Sequence, residues 1–223
     1  MFPIKVTQPS YSRPVVTVLL IAVNIIVFLH EFWLDPYSFN RFIQLYSLRP
    51  AYFHLENLFT HMFLHAGWLH VLGNMLFLWV FGDNVEDILG HGKFLLFYLA
   101  CGVAAGLSQC LIDPASRVPM LGASGAIAGV MGAYLVKFPR SEVKMVAWFI
   151  LIFTFDLPAW VMLIYWFGMQ LFGGYGAIGE AAQNASQGGT AFFAHIGGFL
   201  TGIVLIHVMG TRQRYWRRKD LAW

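Results

Sequence analysis

The stretch GASGAIAGVMGAYLVKF, residues 122–138, decides how the rest of the chain is read. It carries no charge before Lys137 and is interrupted by Gly125, Gly129 and Gly132, and it ends at Pro139 and Arg140. A short, glycine-rich apolar run of this kind suits a membrane helix whose small residues let a neighbouring backbone come close. Its partner is legible further on, in AHIGGFLTGIVLIHVM, residues 194–209. There Gly198 and Gly202 form a small-xxx-small pair, and His195 lies three and seven positions before them, on the same helix face. The first run opens on Ser124, so a serine and a histidine stand at the starts of the two helices expected to pack closest.

Working outward, the composition is that of a membrane protein. Of 223 residues, 58% are hydrophobic and 11% charged, against roughly 45–50% and 25% in soluble domains. A crossing helix needs about 20 mostly apolar residues. The expected spans are residues 15–34, 70–88, 94–112, 123–138, 158–172 and 191–209, an all-α membrane domain over 15–209 between an N-terminal segment, 1–14, and a basic tail, 210–223. The N-terminal MFPIKVTQPS lacks the layout of a cleaved signal peptide, so the first apolar run is expected to be retained. Cys101 and Cys110, nine apart in one run, fall on opposite helix faces and read as small core residues.

Charge sets the orientation, because short cytoplasmic loops collect Lys and Arg. With six spans and both termini inside, eleven of the fourteen basic residues lie on the inner side, and Arg41, Arg49 and Arg117 lie outside. A seventh span would put the RQRYWRRK tail outside. Val143 to Phe155 is therefore read as an interfacial lead-in to the fifth span, not as a crossing. Between the first two spans, Asp35 to Leu69 carries many aromatic residues, which predicts a folded element in the bilayer interface. The segment Gly173 to Gly189, rich in Gly and Ala, reads as a mobile flap. Asn24, Glu31 and Asp156, near span ends, read as solvated or capping.

Polar side chains inside a span are costly and therefore point to function. His70 and Asn74, four apart in HVLGNMLF, share a face of the second span. With the N-terminus inside, the second, fourth and sixth spans all begin at the outer side, which puts His70, Asn74, Ser124 and His195 at one depth. That set suits acyl transfer. Ser124 supplies a nucleophile and His195 a base. The free N–H groups of a first helical turn, with the side chains of His70 and Asn74, supply donors for an oxyanion.

At these residues the sequence resembles the rhomboid family: GASG around Ser124, AHxxGxxxG from Ala194 to Gly202, HxxxN from His70 to Asn74 and GxxxExxxG from Gly82 to Gly90. The order and spacing match from about Leu58 to Gly202. The resemblance implies a six-helix bundle and a serine endopeptidase that cleaves single-span membrane proteins in or beside their membrane helix, using a Ser–His dyad and no cofactor. It implies Ser124 as nucleophile and His195 as base. It also implies an oxyanion hole of His70, Asn74 and Ser124 flanked by Gly122, and structural roles for Glu86, Gly125, Gly129, Gly198 and Gly202. Some relatives stack a tyrosine on the catalytic histidine, and Ala128 stands at that position here. Some carry a Trp-Arg pair in the first outer loop, absent here. The expected setting is a bacterial plasma membrane.

Other classes fare worse. A net charge of +3 spread over loops and tail gives no surface for nucleic acid. His54, His61, His65 and His70 suggest a metal site, but no HExxH and no Cys or carboxylate set completes a zinc shell. His65 reads as support for the outer loop. A transporter would place its polar groups near mid-membrane. The remaining alternative is a catalytically silent relative that binds membrane clients, since fold does not fix function.

Overall fold

The computed structural model describes residues 2–148, 152–181 and 191–211. In chain order it contains β1 (Phe2–Val6), α1 (Val15–Trp33), α2 (Pro36–Tyr46), α3 (Asn57–Thr60), α4 (Trp68–Leu89), α5 (His91–Ile112), α6 (Ser124–Lys137), β2 (Glu142–Trp148), β3 (Ile152–Pro158), α7 (Ala159–Ala181) and α8 (Phe192–Val208). Single 3₁₀ turns at Pro50–Tyr52 and His61–Phe63 complete the loop before α4. The six expected spans correspond to α1, α4, α5, α6, α7 and α8. By length and composition α1 and α5 suffice to cross a membrane, and α4 joins them if counted with Asn57–Phe63 across a 98° bend. The shorter α6 and α8 are apolar.

The centre of the bundle is α6. Every residue from Gly125 to Tyr134 is buried, with α8 on one side and α5 and α4 on others. Its glycines make this possible. A Cβ at Gly202 would lie 1.9 Å from the Gly129 carbonyl oxygen, one at Gly198 2.0 Å from that of Gly125, and one at Gly132 2.2 Å from that of Phe199. On the α5 side, a Cβ at Gly129 would meet the Cys101 sulfur at 2.4 Å and one at Gly125 the Ala105 Cβ at 2.5 Å. Cys101 is itself core. With 14 residues, α6 spans only about 21 Å, whereas the 22 residues of α5 span about 33 Å. A helix that short falls short of a hydrocarbon layer about 30 Å thick.

One end of the bundle is held by polar contacts. Glu86, near the end of α4, accepts from the backbone N–H of Val16 at 2.8 Å, from the N–H of Thr17 at 2.8 Å and from its hydroxyl at 2.7 Å, and lies 2.6 Å from His91 Nδ1. It thus satisfies the free first turn of α1, which has no side-chain cap of its own. Tyr11 donates its N–H, and Ser12 its hydroxyl, to Asp87. Lys93, at the start of α5, donates to the Met209 carbonyl at the end of α8 at 2.7 Å. The N-terminal segment, the end of α4, the start of α5 and the end of α8 therefore meet on one side.

One expected segment gains its secondary structure here, and one is corrected. The described residues of the lead-in Val143 to Phe155 lie in strands: β2 pairs antiparallel with β3 and, on its other edge, with β1. The alternation in VKMVA accounts for it, since Val143, Met145 and Ala147 are buried while Lys144 faces Asp156 across the strands, N–O 3.0 Å. The flap is expected from Gly173, yet α7 continues to Ala181, and the remainder of that segment lies outside the described residues. Gly173 and Gly174 serve packing instead: a Cβ at Gly173 would fall 2.3 Å from the ring of Phe192, and one at Gly174 3.4 Å from Phe193. The tail beyond Thr211 is likewise outside the described residues.

The loop between α1 and α4 is folded, as its aromatic residues predict. Phe42 packs against Tyr46 at 4.7 Å and against His30 of α1 at 5.4 Å, while Tyr37, Tyr52 and Phe53 stay exposed. Asn24 and Glu31, expected to be solvated or capping, are buried: Asn24 donates to the Leu20 carbonyl and Glu31 accepts the His65 N–H at 3.1 Å.

Candidate active site

Ser124 is the first residue of α6 and His195 lies in the first turn of α8. Their side chains meet, His195 Nε2 lying 2.7 Å from Ser124 Oγ. The chain leading into Ser124 is pinned from outside. Leu48 and Met120 exchange backbone hydrogen bonds at 3.0 and 2.8 Å, and Gly122 donates its N–H to the His61 carbonyl at 2.9 Å. Gly122 has φ +122°, a conformation that disfavours a side chain. A Cβ there would also sit 2.7 Å from His70 Nε2 and 3.6 Å from Asn74 Nδ2. The structure therefore brings His70, Asn74, Gly122, Ser124 and His195 around one cavity of about 770 Å³, walled by Phe77, Ile127, Met131 and Trp166.

Hydrogen bonds on the far sides of these rings define their donors. His70 Nδ1 accepts from the Ala66 N–H at 3.4 Å, which leaves the ring proton on Nε2, the atom beside Gly122. Asn74 Nδ2 lies 3.0 Å from His65 Nε2. Burial lowers the His65 pKa to about 4, with a smaller contribution from His70, so the ring is neutral near pH 7 and Nε2 accepts from the Asn74 amide. The second Asn74 N–H remains for the cavity. His65 thus bridges the loop and the site. His61 bonds the Asn57 carbonyl through Nδ1, and the exposed His54 faces Glu56. Among the described residues, no group of three or more His, Cys, Asp or Glu side chains is arranged to hold a metal ion.

Glu86 lies at the other end of α4, while Gly125, Gly129, Gly198 and Gly202 line the α6–α8 contact, with Gly125 also bordering the cavity beside Ser124. Two site residues escape the sequence reading. Gln170 Oε1 lies 2.8 Å from His195 Nδ1, and the Trp166 ring packs against the imidazole at 5.7 Å between centroids. Both come from α7, in a run whose only strongly polar member is Gln170, and a lone glutamine in YWFGMQLFGG was the available signal.

The Rhomboid domain family matches residues 52–212, more than half of the chain and all of the site. This chain belongs to the rhomboid family. It is an integral membrane protein with the mostly helical bundle of that family, whose members are intramembrane-protease-like. Rhomboid protein 1, mitochondrial, of Saccharomyces cerevisiae is 29% identical over 83% of this chain and 50% of its own length. The rat presenilin-associated rhomboid-like protein, mitochondrial, is 32% identical over 61% of the chain and 36% of its own length. Rhomboid protease GluP of Bacillus subtilis is 44% identical over 35% of the chain and 15% of its own length. This rhomboid therefore spans at most half the length of these curated relatives.

Proposed function

We propose that this rhomboid is an intramembrane serine endopeptidase that cleaves transmembrane or juxtamembrane segments of single-span membrane proteins. The observation that carries the reading is the 2.7 Å contact between Ser124 Oγ and His195 Nε2. Ser124 Oγ attacks the scissile carbonyl carbon as its proton passes to His195 Nε2. The oxyanion is held by the Ser124 backbone N–H, His70 Nε2–H and Asn74 Nδ2–H. Collapse of the tetrahedral intermediate breaks the C–N bond, and His195 returns the proton to the leaving amine. Water then attacks the acyl-enzyme with His195 again as base.

A substrate segment must unwind to react, because a helix keeps its carbonyls bonded and shielded. Small or helix-breaking residues near the cleaved bond are therefore favoured. The end that gathers Lys5, Lys93, Lys144 and Met209 faces the cytoplasm, following the positive-inside bias, so the catalytic end opens to the opposite side. We assign the chain to a bacterial plasma membrane. The 44% identity to the Bacillus subtilis protein over 35% of the chain supports that choice.

The test is reconstitution in liposomes with a single-span reporter. Wild-type protein cleaves it, and Ser124→Ala and His195→Ala each lose cleavage by at least about 10³-fold. Undiminished cleavage by either variant removes the dyad. An inert wild type that still retains the reporter identifies a silent client-binding relative.

A further inference from the structure

Ser124 accounts for one nitrogen of His195. We infer that Gln170 is the positioning residue for the other, a neutral third member that, on the protease reading above, keeps the imidazole proton on Nδ1 and so leaves Nε2 free to take the Ser124 proton.

A glutamine amide has an accepting end and a donating end, and the value of Gln170 depends on which end faces His195. The structure settles this through a neighbour. Gln170 Nε2 donates to the Trp166 carbonyl one helical turn earlier on α7, at 3.2 Å. With the NH₂ group committed to that carbonyl, Oε1 is the end that meets His195 Nδ1, at 2.8 Å. An acceptor at Nδ1 requires a proton there. A neutral imidazole carries one N–H, so Nε2 presents its lone pair to the Ser124 hydroxyl.

The opposite amide orientation would be harmful. With NH₂ toward Nδ1, the proton would move to Nε2 and face the serine, and the base would be lost. In serine proteases whose third-member aspartate is replaced by an amide, that wrong tautomer costs roughly 10⁴ in kcat. Here the Trp166 carbonyl keys the amide the right way round. The Trp166 ring adds a second restraint, since it packs between the His195 imidazole at 5.7 Å and the Phe199 ring at 6.1 Å. These α7 groups do the orienting for which Ala128 on α6 offers no ring. Gln170 is 8% exposed.

The test uses the full chain in detergent micelles with ¹⁵N-labelled histidine, the His195 signals being assigned by their loss in His195→Gln. In the wild type above the imidazole titration, Nδ1 gives the protonated and Nε2 the unprotonated signal. In Gln170→Met, which keeps length and removes the amide, the two tautomers mix and kcat falls about 10- to 100-fold at unchanged KM. Gln170→Glu, which again offers an oxygen to Nδ1–H, restores the wild-type tautomer and most of kcat. If Gln170→Met does not fold, the wild-type and Gln170→Glu spectra decide. A proton on Nε2 in the wild type overturns the proposal, as does Gln170→Met with wild-type kcat while Ser124→Ala is inactive. Full cleavage by Ser124→Ala instead overturns the protease reading and leaves the tautomer measurement to decide the position of Gln170 by itself.

Discussion

Ser124 and His195 are 71 residues apart in sequence and 2.7 Å apart at Oγ and Nε2, and glycines hold them there. Their helices touch backbone to backbone, so the hydrogen bond between the first turns of α6 and α8 inherits its length from Gly125, Gly129, Gly198 and Gly202.

Gly202→Ala is therefore expected to damage both stability and activity. The added methyl overlaps the Gly129 carbonyl, and overpacking of this kind costs about 1–3 kcal/mol. Thermal unfolding in detergent should fall, and cleavage per folded molecule should fall with it, because the helices separate at the dyad. Gly168→Ala on α7 is the control, since a Cβ there meets nothing within 4 Å. Equal behaviour of the two variants would contradict the backbone contact.

Asn74→Ala should act on kcat and spare KM. The side chain offers one N–H to His65 and one to the cavity, and loss of a single oxyanion donor typically costs about 10²–10³ in kcat. Steady-state kinetics on a single-span reporter measures this, and an effect confined to KM would exclude an oxyanion role.

Glu86→Ala should destabilise the fold and leave the chemistry alone. It strips the acceptor from the N–H groups of Val16 and Thr17 while they stay buried, a loss of about 3 kcal/mol or more for charge-assisted bonds. Glu86 is twelve residues beyond Asn74 on α4, roughly 18 Å along the axis. The expected result is a clear drop in unfolding temperature with kcat per folded molecule unchanged.

His65 adds a pH dependence. Its folded pKa, about 4, lies below the ordinary 6.5, so between those values the unfolded chain binds more protons. Stability is complete above about pH 6.5 and declines as pH falls toward 4, by up to about 1.4 kcal/mol per pH unit for this one residue. Unfolding temperatures measured from pH 7.5 to 4.5 should show the decline, and His65→Gln, which keeps an acceptor for Asn74, should make it shallower, with the buried His61, also lowered to about 4, retaining its share.

The sequence by itself determined the membrane class and the mostly helical bundle, and it singled out His70, Asn74, Ser124 and His195, which the fold gathers around one cavity. Each was visible for a local reason: long apolar runs, glycines at helical spacing, and polar side chains where burial penalises them. Local pattern also misled where one signal serves two ends. Gly173 and Gly174 read as flexibility and are contacts for Phe192 and Phe193. VKMVA read as part of an interfacial lead-in and is a strand, because its partners Phe2–Val6 and Ile152–Pro158 are supplied by other parts of the chain. Tertiary structure alone decided what holds the site. That Gln170 and Trp166 reach His195, that His65 holds Asn74, and that Gly122 fits between His70 and Asn74 are facts about side chains from different helices converging on one cavity. No periodicity encodes them, because a hydrogen bond between helices depends on how the helices are packed and not on the spacing within either.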